Sequence, residues 1–497
     1  MRVSRDLRGW SLALGVIFLT TATGFLAKVA FERWSKPVTV FQIAPYLQPG
    51  DDPAGGPLAL LWQTDVETSV WSVQVRDRAE AAWVNVESPE VRRFDLENLA
   101  PFQLYRAFLE QTHSPVRQAV GQYRVLRDHI PVFHAEFSRK RASGAAERIV
   151  VLGDCASATS EQKAIAFQVY QARPDYAVVT GDIVYTYGRV SEYLDHFFPI
   201  YNAGQASETT GAPLLRSIPF YAAPGNHDLV MGDLDLYPDA LAYFYYWSQP
   251  LNGPLEGLGE RGVPILRGAQ AKQEAFRLAA GPAYPRMASF SFDKGPIHWT
   301  VLDSNRYVDW TDPERLDWLR QDLNGPAAQR AAWRFVVFHH PPFQSSHAHA
   351  EDQWMRRLAP LFEAAGVAVV FNGHVHNYQR SCPMEFVPDT SEALQNLETV
   401  AGQWTLDRGF DGVSNIHPRG VIYMVTGGGG ARLYNPEQHD HPESWQAFTT
   451  RFVSNSHSFT VVDATDQLLT FRQLTEHGVE VDSFQIGKPP LLAPGSR

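Results

Sequence analysis

Six residues able to hold a cation stand at or just past the ends of apolar runs in this chain. RIVVLGD ends on Asp154, YAVVTGD on Asp182, IPFYAAPGN on Asn226 and RFVVFH on His339, while VAVVFNGHVH carries His374 and His376. Singly each is weak evidence, since Gly-Asp usually makes a turn and a close histidine pair arises easily in a chain with 17 histidines. Their recurrence is the signal. Carboxylate, amide oxygen and imidazole together make a donor set for hard or borderline divalent and trivalent ions. Two close ions account for the assortment better than one, because a shared carboxylate offsets part of their repulsion and a bridging water loses its proton readily. Such a pair suits phosphate-ester hydrolysis, where attacking and leaving oxygens must both be stabilised.

The apolar runs read as strands buried on both faces, and helix-like stretches at Glu161–Ala172, Pro313–Leu323 and Glu351–Ala365 fall between them. Strands alternating with helices predict an α/β domain, whose sites usually gather at strand exits. FTVVDA, LLTFRQL and VEVDSFQI add three closing strands. Before this region, from Pro37 to about Ser143, short β-prone runs separated by Pro, Gly and Asp predict a small sandwich, and the basic SRKRASG stretch predicts a join.

Composition bounds the function. The chain has 497 residues, 44% hydrophobic and 20% charged, which is enough for a large core and more than one domain. A formal net charge of −11 argues against a nucleic-acid scaffold but allows an anionic small substrate at a metal site. Two cysteines, Cys155 and Cys382, make no disulfide framework, and a buried thiol is the reading for Cys155. At the N-terminus Arg2, Arg5 and Arg8 precede an uncharged apolar run, Gly9–Ala27. That pattern predicts a signal peptide or a transmembrane anchor, with the body extracytoplasmic, either secreted or held to the membrane by an N-terminal helix.

At the strand-end residues the chain resembles the calcineurin-like metallophosphoesterase superfamily: GD at 153–154, GD at 181–182, GNHD at 225–228, HHP at 339–341 and GHVH at 373–376 stand in the family order. The similarity runs over roughly Arg148–Asp482. It is closest to the purple acid phosphatases, through GDIVY ending on Tyr185, GHVHNYQR, VTGGGGARLY and GVEVDSF.

The resemblance implies an α/β (α+β) metallophosphoesterase sandwich of two β-sheets flanked by helices, preceded by a small all-β fibronectin-III-like domain. Residues 1–35 would be the signal or anchor, 36–143 the β-sandwich and 144–497 the catalytic domain. Asp154, Asp182, Tyr185 and His376 would hold Fe(III). Asp182 would bridge to Fe(II), Zn(II) or Mn(II), held also by Asn226, His339 and His374. His227 would contact the phosphate and protonate the leaving group. His349, with His347 on the same loop, would contact substrate. The implied reaction is acid-phosphatase-like cleavage of a small phosphate monoester by a metal-bound hydroxide. A phosphodiesterase or nucleotidase using the same metal pair is the alternative, and a non-catalytic surface binding protein a further one.

Two positions depart from the pattern. Ala156 stands where Asp-x-His members place a ligand, so Tyr185 would fill the coordination sphere. Asp228 replaces the Glu usual among the purple enzymes, which implies altered support of a ligand. Asp303 and Asn305, ending VLDSN, suit a supporting or a turn role. The glycines at 427–430 lack the Lys-Ser/Thr of a P-loop, and predict a closely packed loop under the site.

Overall fold

A computed structural model describes residues 40–110, 120–138, 145–254, 262–389 and 399–488. Thirteen strands position the strand-end residues: β1 (Glu147–Leu152), β2 (Tyr176–Val179), β3 (Phe220–Ala222), β4 (Phe290–Lys294), β5 (Ile297–Val301), β6 (Trp333–Val337), β7 (Val369–Asn372), β8 (Tyr378–Ser381), β9 (Ile422–Thr426), β10 (Thr449–Val453), β11 (Ser458–Ala464), β12 (Leu468–Thr475) and β13 (Glu480–Gly487). They form two sheets, ordered β3-β2-β1-β11-β12-β13 and β4-β5-β6-β7-β9-β8-β10. The strands that lead into the site run parallel to their neighbours: β1 with β2, β2 with β3, and β5 through β6 and β7 to β9. All their C-terminal ends therefore lie along one edge of each sheet. The three closing strands are antiparallel, as their short turns require.

The apolar runs are continuous because both faces of each sheet are covered. Ile149 and Val151 of β1 point into the core shared by the two sheets, with Trp299, Phe335 and Phe371 from the second sheet. Val150 and Leu152 point the other way, onto Ile165, Ala166 and Val169 of a helix, α1 (Ser160–Ala172). Thr159 caps that helix by accepting from the Gln162 amide at 3.1 Å. On the far face of the second sheet, Val336 and Val370 pack against Leu319 and Leu323 of α2 (Pro313–Asn324) and against Leu358 and Phe362. The result is two sheets face to face with helices outside them.

Two further four-stranded antiparallel sheets precede this body. One has the order Ile43–Gln48, Leu58–Asp65, Phe102–Leu109, Glu90–Phe94; the other Val84–Asn85, Trp71–Arg76, Val120–Arg127, Ile130–Ser138. Trp62 of the first sheet packs on Trp71 of the second, with ring centres 5.8 Å apart. Tyr46 Oη donates to the Tyr246 carbonyl and Tyr246 Oη to Gln63 Oε1, both at 2.8 Å, so the first of these sheets is bonded to the short helix Tyr243–Tyr246.

The membrane expectation is corrected. Among the described residues no helix is long and apolar enough to cross a membrane, so a transmembrane anchor, a membrane partner and anchored localisation lose their support. The Gly9–Ala27 run that suggested them, as anchor or signal, lies outside the described residues. The long connections between strands contain structure. Tyr201–Pro219 carries the hairpin Asn202–Ser207 with Gly211–Pro213, and Asn252–Pro285 carries the helix Gln270–Ala280. Both cysteines are free thiols, Cys155 buried.

Candidate metal centre

Each strand exit turns sharply into the site. Asp154, Asp182 and His374 have positive φ values of 56°, 48° and 67°, and His349 has 58°. That left-handed backbone is unfavourable for residues with a Cβ, and here four such residues meet at one place. Glycine precedes the donors where there is no space for a side chain. A Cβ on Gly225 would lie 2.1 Å from Asp182 Oδ1, and one on Gly427 would lie 2.7 Å from Asp154 Oδ2. The second of these is the close packing expected of the four-glycine loop.

The donors converge in two groups. In the first, Tyr185 Oη donates to Asp154 Oδ1 at 3.2 Å and lies 3.1 Å from His376 Nε2, which is itself 3.4 Å from Asp154 Oδ1. In the second, His339 Nε2 lies 3.3 Å from Asp182 Oδ2 and 3.1 Å from Asn226 Oδ1. Asp154, Asp182 and His339 also bring three ligand atoms within 4.8 Å of one another, and His339, His340 and His374 do the same. Asp154 and Asp182 are almost fully buried.

The tautomers show what these groups require. His339 Nδ1 donates to the Thr180 carbonyl at 3.0 Å, and His376 Nδ1 donates to the Arg432 carbonyl at 2.7 Å. In a neutral ring each Nε2 is then a bare acceptor, and both face carboxylate, amide or phenol oxygens. The Tyr185 hydroxyl can donate to His376 Nε2, but His339 Nε2 against the Asp182 carboxylate is acceptor on acceptor, untenable in a buried site without a cation between them. A proton or a metal ion removes the conflict. Burial pushes the His339 imidazole down, but the Asp182 charge and hydrogen bond outweigh it and raise its pKa to about 9. Burial likewise acts to raise the Asp182 carboxyl, yet His339, with His227 and His374, holds it far below the usual carboxylate range. The donor chemistry therefore fits a pair of metal ions.

His374 stands on the other side of the group. Its amide donates to both Asp154 oxygens, at 3.0 and 2.9 Å, and its Nε2 lies 3.1 Å from Asp352 Oδ2. Burial pushes its pKa down to about 4 against the pull of Asp352, leaving the neutral ring that binds metal. His349 Nδ1 meets the same Asp352 oxygen at 3.1 Å, and Arg306 donates to Asp352 Oδ1 at 2.8 Å. His340 is packed with its ring 4.4 Å from that of His374. His227 Nδ1 donates to the Thr186 carbonyl at 2.7 Å, leaving Nε2 3.9 Å from Asp182 Oδ2. His347 is exposed, and only its amide bond to Gln438 Oε1, at 3.2 Å, relates it to the loop packing here.

Supporting residues complete the picture. Asp228 accepts from the Gly225 amide at 2.8 Å and the Ile183 amide at 3.0 Å, so its shorter side chain ties two ligand loops through their backbones. Burial and the nearby Asp182 charge raise it to about 7. Ala156 bridges in parallel to Val184, bringing the first loop beside the one that carries Tyr185. Asn305 Nδ2 donates to the Gly225 carbonyl at 3.1 Å and to Asp303 Oδ1, which places VLDSN behind the Asn226 loop. Sequence reasoning missed Asp352 and Tyr434. Asp352 lies three residues after His349 in the same loop; Tyr434 stacks on His376 with ring centres 4.1 Å apart and ends the VTGGGGARLY stretch.

Residues 147–378, the span that supplies every strand-end donor, match the model of the calcineurin-like phosphoesterases. Over this region the chain is similar to the calcineurin-like phosphoesterases. Purple acid phosphatases are among the proteins it is similar to. The chain is 37% identical over 95 residues to purple acid phosphatase 18 of Arabidopsis thaliana, covering 18% of this chain and 21% of that one. It is 25% identical over 320 residues to probable inactive purple acid phosphatase 1 of the same plant, covering 62% of this chain and 42% of the relative. The chain thus spans less than half the length of the first curated relatives it matches. In fold it is similar to purple acid phosphatase PPD1 of yellow lupin (Lupinus luteus), with a TM-score of 0.61 at 16% identity over 90% of this chain and 74% of that one.

Proposed function

We propose that the chain is a binuclear-metal hydrolase of small phosphate monoesters, acid-phosphatase-like in its chemistry. One observation supports this above the others: the buried His339 Nε2, with Nδ1 already committed to a carbonyl, faces the Asp182 carboxylate, which only a cation can reconcile with it. Asp154, Tyr185 and His376 would hold one ion, Asn226, His339 and His374 the other, and Asp182 would serve both. Tyr185 as a phenolate favours Fe(III) in the first place, because burial and Asp154 hold its phenol protonated unless a strong Lewis acid displaces the proton. Fe(II), Zn(II) or Mn(II) suits the second. When bound, the ions supply charge for the phosphate oxygens and an acidified water.

The chain's own residues do the rest. His227, its Nδ1 fixed on Thr186, presents Nε2 to a phosphate oxygen and passes a proton to the leaving oxygen. His349, oriented by Asp352, contacts the substrate from the side of His374. The two N-terminal sheets support a fibronectin-III-like domain over 36–143, ahead of a catalytic domain over 144–497.

Metal analysis with turnover of 4-nitrophenyl phosphate and its bis(4-nitrophenyl) diester tests the reading. Two ions per chain, a tyrosinate absorption band and faster monoester cleavage are expected. Faster diester cleavage would replace it with a phosphodiesterase. Two bound ions without turnover would make the chain a binding protein, an outcome to which the name of the probable inactive relative gives point.

A further inference from the structure

The metal centre has an open side and a closed side. A cavity of about 470 Å³ meets the centre at Asn226 and His374, whereas Asp154, Tyr185 and His376 contribute nothing to its wall. That volume is far more than a phosphate needs and is in the range that encloses a small organic group. A monoester seated on the metals would extend its leaving group this way.

The wall of the cavity says what that group carries. Val230, Met231 and Ile265 make one side apolar, and Val230 and Ile265 are 58% and 48% exposed, more than a side chain with a packing partner would be. Two arginines face the same space, Arg267 and Arg306. The Arg306 guanidinium is committed: it pairs with Asp352 at 2.8 Å and lies 4.8 Å over the Trp354 ring. Arg267 is different. Its backbone is fixed, since its amide donates to the Gly232 carbonyl at 2.8 Å and its carbonyl accepts from Leu234 at 3.1 Å. Among the described residues its guanidinium has no carboxylate partner, although Asp233 lines the same cavity. The Asp233 carboxylate instead accepts the amides of Asp235 and Leu236 at 3.1 and 3.2 Å. An exposed arginine on a fixed backbone, with no acid partner among the described residues and apolar side chains beside it, is what a ligand with an apolar body and an anionic end would meet.

We propose that this cavity is a leaving-group subsite for phosphate monoesters bearing a second anionic group, carboxylate or phosphate, which Arg267 pairs while Val230, Met231 and Ile265 cover the body of the leaving group. The subsite rests on the hydrolase reading above and adds a substrate class to it.

The test uses the full metal-loaded chain with two substrates of equal size, 4-carboxyphenyl phosphate and its neutral amide, 4-carbamoylphenyl phosphate. The native chain is expected to favour the carboxylate about tenfold in kcat/KM. Hydroquinone bisphosphate, as a third substrate, tells whether a second phosphate is favoured over a carboxylate. Arg267→Gln is expected to bring the ratio of the first two close to one, and Arg267→Lys to keep much of it. Binding of the unreactive 4-carboxybenzylphosphonate and 4-carbamoylbenzylphosphonate, by calorimetry, should show the same ratio without turnover. Equal treatment of charged and neutral pairs by the native chain, or a ratio untouched by Arg267→Gln, overturns the subsite while leaving hydrolysis intact. No turnover of any substrate by a chain holding two ions overturns the hydrolase reading, and the subsite with it.

Discussion

Two histidines sit among carboxylates at opposite edges of the same sheet. His339 follows the C-terminal end of β6, and His298 lies at the N-terminal end of the parallel neighbour β5. Both are buried. The difference is where each spends its nitrogens. His298 gives Nδ1 to Asp293 at 2.8 Å and Nε2 to Asp322 at 3.2 Å, so a single added proton satisfies everything around it. His339 has given Nδ1 to a backbone carbonyl, and its Nε2 points at two oxygens that could share a larger cation. The same residue types therefore build an internal ion pair at one edge and a metal centre at the other. A carbonyl at the second nitrogen separates the two cases.

Removing metal should widen that contrast most. Chelation is expected to abolish turnover, and re-added metal to restore it while raising Tm with concentration; metal should leave the ion pair at His298 unaltered. Asp182→Asn comes next. Asparagine tolerates the left-handed backbone of this position, so the fold should persist while activity falls more than about a hundredfold and bound metal drops below two per chain.

The third test attacks the other edge. His298→Gln leaves Asp322 and Asp293 without their cation and should cost about 3 kcal/mol in denaturant unfolding at pH 6, with kcat preserved. Burial opposes protonation of His298, but the two aspartates raise its pKa to about 9. An unfolded histidine titrates near 6.5, so the stabilisation is fully present below about pH 6.5 and disappears as pH rises through about 9. The gap between native chain and variant should close over that window; a constant gap would show that packing, not charge, holds this edge. The smallest effect is expected from Tyr185→Phe, which keeps the ring. Loss of the visible band with roughly tenfold slower turnover would identify the phenolate. An unchanged spectrum would remove Tyr185 from the ligands.

The site was legible in sequence to the extent that it is local. Gly before Asp154, Asp182 and His374, at the end of an apolar run, marks a strand that stops abruptly in a backbone state few residues adopt, and that signal needs no partner. His349 and Tyr185 came only from the family resemblance. Asp352 was in view but carried no signal, because its meaning comes from Arg306 and His374, distant in sequence. Arg267 was invisible for the same reason. The closing strands were clear from their alternation, while the Asn202–Pro213 hairpin carries little strand signal because it holds few β-branched residues. The apolar N-terminal run weighed more in sequence than the described structure supports.

The donors come from two sheets that share a core but no hydrogen-bonded strand. Asp154, Asp182 and Asn226 leave the first sheet, and His339, His374 and His376 leave the second. Ions seated among them would weld the exits of both layers. A growing chain that stops short of His376 cannot hold both. A strand that slips by one residue turns its donor to the wrong face, and with it the weld fails.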